Sequence, residues 1–163
     1  MPEYNVPDVL ITGPQLLDRP LSRTNIVSQP IISPAAGADM LVTVPFGVMW
    51  DLQSFTARFT ASAQAANRTL GFQVKDQSGN LVYQYQCSAN VATTVVVTIT
   101  FSEDCGLVPT ALATGNIVFF PCPRAWFGAG WQFGTFTGSI QTNDQWDLGA
   151  FWAAEYLPEP DDQ

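Results

Sequence analysis

Around residue 58 the chain alternates without a break: Phe55, Ala57, Phe59 and Ala61 are apolar, while Ser54, Thr56, Arg58, Thr60 and Ser62 are polar. A helix would scatter these residues around its axis. A strand sends successive side chains to opposite faces, so the pattern commits this segment to a half-buried strand. The same period governs the chain from Leu41 onward. Leu70, Phe72 and Val74 keep it, Asp76, Gln77, Ser78, Gly79 and Asn80 supply a turn, and Leu81, Tyr83 and Tyr85 resume it, which predicts a hairpin. Residues 93–101 are rich in β-branched side chains, with Val95, Val97, Ile99 and Phe101 facing one way and Val96, Thr98 and Thr100 the other. A shorter run at 117–120 is closed by Pro121 and Pro123, and 131–140 and 146–156 are the last strand candidates. The best helical candidate, 107–113, is interrupted by Pro109 and bounded by Gly106 and Gly115. About eight short strands separated by turns predict an all-β, antiparallel two-sheet sandwich, jelly-roll-like.

Upstream of Met40 the character differs. Pro2, Pro7, Pro14, Pro20, Pro30 and Pro34 punctuate short apolar clusters, and each removes an amide donor and pushes its predecessor toward extended geometry. The prediction is an extended arm over residues 1–40, a sandwich domain over 41–157 and an acidic tail over 158–163. Val9, Leu10, Ile11, Leu16, Leu17, Ile26, Val27, Ile31 and Ile32 give the arm something to bury, either on its own domain or on a neighbouring subunit.

Within 163 residues one core can form without metals or disulfide staples. Charged residues make up only 12%, roughly half the usual share, so much of the exterior is uncharged and suited to meeting another protein. The formal net charge is −8, and Arg19, Arg23, Arg58, Arg68, Lys75 and Arg124 are scattered. Neither a nucleic-acid backbone nor an anionic membrane surface is a natural partner for such a chain. No apolar run is long enough to span a bilayer as a helix, and the first residues lack a signal-peptide pattern, so synthesis in the cytoplasm is expected.

Histidine is absent, which removes the usual general base, any Ser-His-Asp or Cys-His site and any histidine-ligated metal. Asp51, Glu103, Asp104, Asp144, Asp147 and Glu155 could in principle pair as glycosidase acids, but no spacing singles out an acid and a nucleophile. Gly128-Ala129-Gly130 lacks the helix a phosphate loop needs and is read as a turn. Asn67-Arg68-Thr69 fits a glycosylation pattern but is read as the start of a strand, and Asp76 to Asn80 lacks the length and final Glu of an EF-hand loop. Cys87, Cys105 and Cys122 show no CxxC spacing; Cys87 reads as a small buried hydrophobe, and a bridge from Cys105 stays open. The expectation is a protein that is not an enzyme and holds no cofactor or metal.

Trp126, Trp131, Trp146 and Trp152 crowd the C-terminal part. Core packing between sheets is the plain reading, and a platform for sugar rings or a subunit interface is the sharper one.

Residues 50–63, then Ala66-Asn67-Arg68, then LGFQVKDQSGNLVYQ resemble a recurring small virion protein of tailed bacteriophages. In that family an alternating strand ends in an Asn-Arg pair and leads into a hairpin with an Asp and Gly turn; Asn67, Arg68, Asp76 and Gly79 stand at those positions. Ala129-Gly130-Trp131, Gln141 and Asp144-Gln145-Trp146 look like the family's later segment. The resemblance covers roughly residues 41–157 and omits the arm. It implies a β-sandwich on the particle, decorating the capsid or sitting at the neck or tail, with no catalytic residue. Asn67, Arg68, Asp76 and Gly79 would then be architectural, Arg68 pairing with a carboxylate or an orphan carbonyl. The function expected is a capsid decoration or cement subunit, a homo-oligomer such as a trimer, binding the major capsid protein or other virion proteins. A neck or tail accessory protein and a glycan-binding module are the alternatives.

Overall fold

The computed structural model describes residues 21–102, 115, 117–121 and 126–158. Among them lie β1 (Leu21–Ile31), β2 (Leu41–Thr43), β3 (Met49–Thr60), β4 (Arg68–Lys75), β5 (Leu81–Val91), β6 (Val96–Ser102), β7 (Ile117–Pro121), β8 (Trp126–Phe127), β9 (Gln132–Gly138) and β10 (Gln145–Pro158). The described residues contain no helix. A six-stranded sheet runs in the order β1-β10-β3-β6-β7 with β8 added on β3, and a four-stranded sheet runs β2-β9-β4-β5. The architecture is an all-β pair of sheets, as the period-two pattern requires.

The inward sides of the two sheets meet in an aromatic core. Trp50, Phe55, Phe101, Phe127 and Phe151 come from the larger sheet, and Phe72 and Phe133 from the smaller. Phe55 sits edge-on to Phe72 and Phe133, with ring centroids 5.9 and 6.2 Å apart, and Phe133 also meets Phe151 at 5.5 Å. Edge-to-face rings suit the aromatic quadrupole, and each buried Phe contributes about 1.5–3 kcal/mol through area alone. The alternation on β3 is realised in full, since Phe55, Ala57, Phe59 and Ala61 are all buried. On β5 the pattern holds from Tyr83 onward, with Tyr83 and Tyr85 partly buried against the core, and fails only at Leu81. Cys87, Ala89 and Val91 are buried, whereas Leu81 is exposed, because the hairpin tip overhangs the core.

Two features depart from the sequence reading. The stretch read as an arm is not all arm: Leu21–Ile31 is the edge strand β1, antiparallel to β10 from Leu21↔Pro158 to Ile31↔Gly149. Val27 turns to the core and Ile26 away from it. Pro30 is tolerated there because an edge strand need not feed a ladder on both sides. Second, the sandwich is not wholly antiparallel, since β6 and β7 pair in parallel. A parallel pair needs a connection of about a dozen residues or more, and residues 103–116 supply it. The helical candidate at 107–113 lies outside the described residues, as does 159–163 of the acidic tail.

β10 is bent by a bulge between Asp147 and Ala150, where Leu148 takes φ +46°. Beside it, a Cβ on Gly149 would run into the Met40 side chain and lie 3.0 Å from Ile31 Cβ. Glycine at 149 therefore lets the segment between β1 and β2 press against β10.

Candidate functional site

Arg68 begins β4 and Asp144 precedes β10, and both side chains are fully buried. Arg68 Nε donates to Asp144 Oδ2 at 2.6 Å, and its Nη2 donates to Ser62 Oγ at 3.0 Å and the Gln64 carbonyl at 2.7 Å. Asp144 also accepts the amides of Ser62 and Gln141, each at 2.8 Å. One ion pair thus ties the β3–β4 loop to the β9–β10 loop. Burial alone would raise the Asp144 carboxyl, but the Arg68 bond and the two amides outweigh it and hold its pKa below the usual value. This arrangement pins loops; Arg68 is fully buried, and its Nη1 is left without a hydrogen-bond partner.

Asp39 makes a second clamp. Its carboxylate accepts from Thr137 Oγ1 at 2.8 Å, from the Thr137 amide at 3.2 Å and from Thr135 Oγ1 at 3.3 Å. Thr137 Oγ1 in turn accepts the Trp146 indole at 2.8 Å. Burial raises the Asp39 pKa, and the Thr137 and Thr135 bonds only partly offset it.

The tryptophans separate by position. Trp146 is buried at 4.8 Å from Phe59, and Trp131 is half-buried near Phe127. Trp126 and Trp152 are 43% and 40% exposed. Both lie on the outer face of the six-stranded sheet, because their chain neighbours Phe127, Phe151 and Ala153 face the core. That face also carries Ile26, Ile117 and Phe119, all exposed, and rows of Thr and Ser from β3 and β6. Its Arg58 is neutralised by Asp147, with paired bonds of 2.7 and 2.6 Å.

Asp51 shares this face with Ala154 on β10 and Trp126 on β8, its register partners on either side. Trp126 packs on Tyr156 at 4.3 Å between ring centroids. Asp51 is only 6% exposed, and its Oδ1 has no hydrogen-bond partner.

The remaining sequence candidates fall apart in space. Asp76 closes its own turn, accepting the amides of Ser78 and Asn80 and the Asn80 side chain at 2.8–2.9 Å, and these bonds lower its pKa. Gly79 takes φ +81° in that turn, a left-handed conformation that favours glycine. Asn67 is exposed before β4. Ile31 packs partly on the core and Ile32 is 91% exposed, while Val9, Leu10, Ile11, Leu16 and Leu17 lie outside the described residues. Cys87 is buried and free, with burial pushing its thiol pKa up; Cys105 and Cys122 lie outside the described residues. Of the acids weighed as a catalytic pair, Asp144 and Asp147 hold arginines and Glu155 accepts the Trp50 indole at 3.0 Å. Among the described residues no cluster of His, Cys, Asp and Glu could hold a metal ion.

The fold and its outer face define a class, a two-sheet β protein with a charge-poor sheet surface. No protein-family model matches the chain, and neither a curated protein nor a solved structure matches it. Sequence reasoning missed Asp39 and the grouping of Asp51, Trp126 and Tyr156. β8 is two residues long, too short for any periodic signal, and only the sheet register brings its Trp beside Asp51.

Proposed function

We propose that this chain is a non-enzymatic structural subunit of a tailed-phage particle, a decoration or cement protein that binds the major capsid protein. Its sandwich is read as a jelly roll. Strands β1-β10-β3-β6 facing β2-β9-β4-β5 follow the order of an eight-stranded double Greek key, with β7 and β8 inserted between β6 and β9. The observation that carries the functional reading is the outer face of the six-stranded sheet. In a chain of net charge −8 it exposes Ile26, Ile117, Phe119, Trp126 and Trp152, and its Arg58 and Asp147 cancel one another. A charge-poor sheet surface with aromatic anchors suits a protein interface, where aromatics are enriched and charge is depleted at the centre. The resemblance to small phage virion proteins supplies the particle, and a symmetric oligomer, taken as a trimer, would multiply weak contacts into avidity. The segment ahead of β1 serves as the attachment arm in this reading.

Copy number in purified particles, measured by quantitative mass spectrometry against the major capsid protein, tests the reading. A ratio comparable to that of the capsid protein is expected. A few copies per particle would replace decoration with a neck or tail role, and absence from particles would overturn the virion reading. A second reading, a glycan-binding module, is favoured by the exposure of Trp126 and Trp152 on one face.

A further inference from the structure

Buried carboxylate oxygens in folded proteins nearly always have a donor, because an unpartnered one forfeits its hydration without compensation. Asp51 Oδ1 has no such donor, on a side chain 6% exposed. It does not belong to the core, since Trp50 and Leu52 on either side of it turn inward and Asp51 turns outward. Its flanking register partners are Ala154, which is small, and Trp126, whose exposed indole packs against Tyr156. Met49 pairs with Tyr156, and Ile26 pairs with Ala154; the nearby Gln53 amide donates to the Asp51 backbone carbonyl at 3.3 Å, not to the carboxylate, so the described residues beside the carboxylate on β8 and β10 are aromatic and aliphatic. Among the described residues, none supplies this carboxylate with a donor that carries positive charge and tolerates an aromatic wall.

We propose that Asp51, Trp126 and Tyr156 form a docking site for an arginine side chain of a partner protein. A guanidinium is planar, stacks on Trp and Tyr rings, is weakly hydrated, and donates in a fork that matches a carboxylate. A sugar hydroxyl could donate to Asp51 while its ring lay on Trp126, but it would leave the carboxylate's charge uncompensated in a partly dry site. Charge therefore favours the cation over the saccharide. Of this chain's arginines, the two whose side chains are described, Arg58 and Arg68, are held by Asp147 and Asp144. The inference rests on the reading of the outer sheet face as an interface and names the chemistry its partner presents. Trp126 would be the anchor, and Asp51 would select arginine over other side chains.

The test uses the isolated full-length chain, so it is independent of copy number in particles. N-acetyl-arginine amide, N-acetyl-lysine amide and N-acetylglucosamine are titrated separately, following the indole N–H resonance of Trp126 by NMR, with Trp126→Phe identifying the signal. The arginine probe should give a saturable shift that weakens with salt, the lysine probe a weaker one and the sugar none. Asp51→Asn should keep or raise the melting temperature, because it removes an unpaired buried charge, and should weaken the arginine response at least tenfold. An equal response in Asp51→Asn would overturn the proposal, as would a response to the sugar and not to arginine. Binding by Arg23→Ala but not by the wild type would overturn it too, since Arg23 pairs with Tyr156 through β1 and would then be the occupant.

Discussion

Arg68 and Asp144 meet at 2.6 Å with neither side chain exposed to solvent, seventy-six residues apart in the chain. The pair closes one end of the sandwich by holding the β3–β4 and β9–β10 loops together. Removing one partner strands the other charge in a buried setting, which costs about 3–5 kcal/mol. Asp144→Ala and Arg68→Met should each lose that much in urea denaturation. The double variant should lose clearly less than the sum, because the second substitution removes the stranded charge. Additive losses would show that the pair is not coupled.

Acid should act through the same carboxylate. The folded pKa of Asp144 lies below the ordinary 3.8, so its contribution is complete above 3.8 and is lost as pH falls through the folded value. Asp144→Asn should erase that part of the acid dependence, seen as a flatter urea midpoint below pH 4. An unchanged slope would assign the acid loss to other groups.

Asp39 has the opposite sign. Burial lifts its folded pKa above 3.8, so in the window just above that value the folded state holds the proton more tightly than the unfolded chain does. Its contribution is fullest below 3.8 and declines as pH rises through the folded value. The stability difference between the wild type and Asp39→Asn should therefore favour the wild type most in acid and shrink toward neutrality. Urea midpoints measured from acid to neutral pH check this; a difference that grows with pH would contradict it.

The register of β1 can be tested by neighbouring substitutions. Val27 is 8% exposed and Ile26 58%, so a strand that buries one must present the other. Val27→Ser should cost about 1–3 kcal/mol, while Ile26→Ser should stay within about 0.5 kcal/mol. Equal costs would place β1 differently on β10.

Legibility in the sequence followed the reach of each signal. The strands with several alternating apolar residues, β3, β4, β5, β6, β9 and β10, were visible because a period of two needs only local information. β1 was not, since Pro30 and the polar residues Ser28 and Gln29 hide a strand that is half-buried on one side only. β8 is too short to show any period. The parallel pairing of β7 is a matter of topology, which alternation does not encode. The tryptophans divide between core and surface for the same reason: Trp146 and Trp152 both stand on β10, and the bulge between Asp147 and Ala150 reverses which face an even-numbered residue takes. Asp51 was weighed only as one acid among six, because an outward acid between Trp50 and Leu52 looks like ordinary alternation. Its burial and missing donor emerge only when β8 and β10 lie on either side.

That bulge leads to a last expectation. Gly149 stands where a Cβ would strike the Met40 side chain, and Met40 is itself buried against the core. Gly149→Ala must therefore displace Met40 or push β1 from β10, an overpacking that costs about 1–3 kcal/mol. Met40→Ala alone leaves a cavity and costs about 2–5 kcal/mol. Combined, the new methyl occupies part of the vacated space, so the double variant should be more stable than the two losses added together, by about 0.5–3 kcal/mol. Thermal or urea unfolding of the four proteins measures this coupling. If the losses simply add, Gly149 is present for the backbone geometry of the bulge beside Leu148 rather than for the approach of Met40.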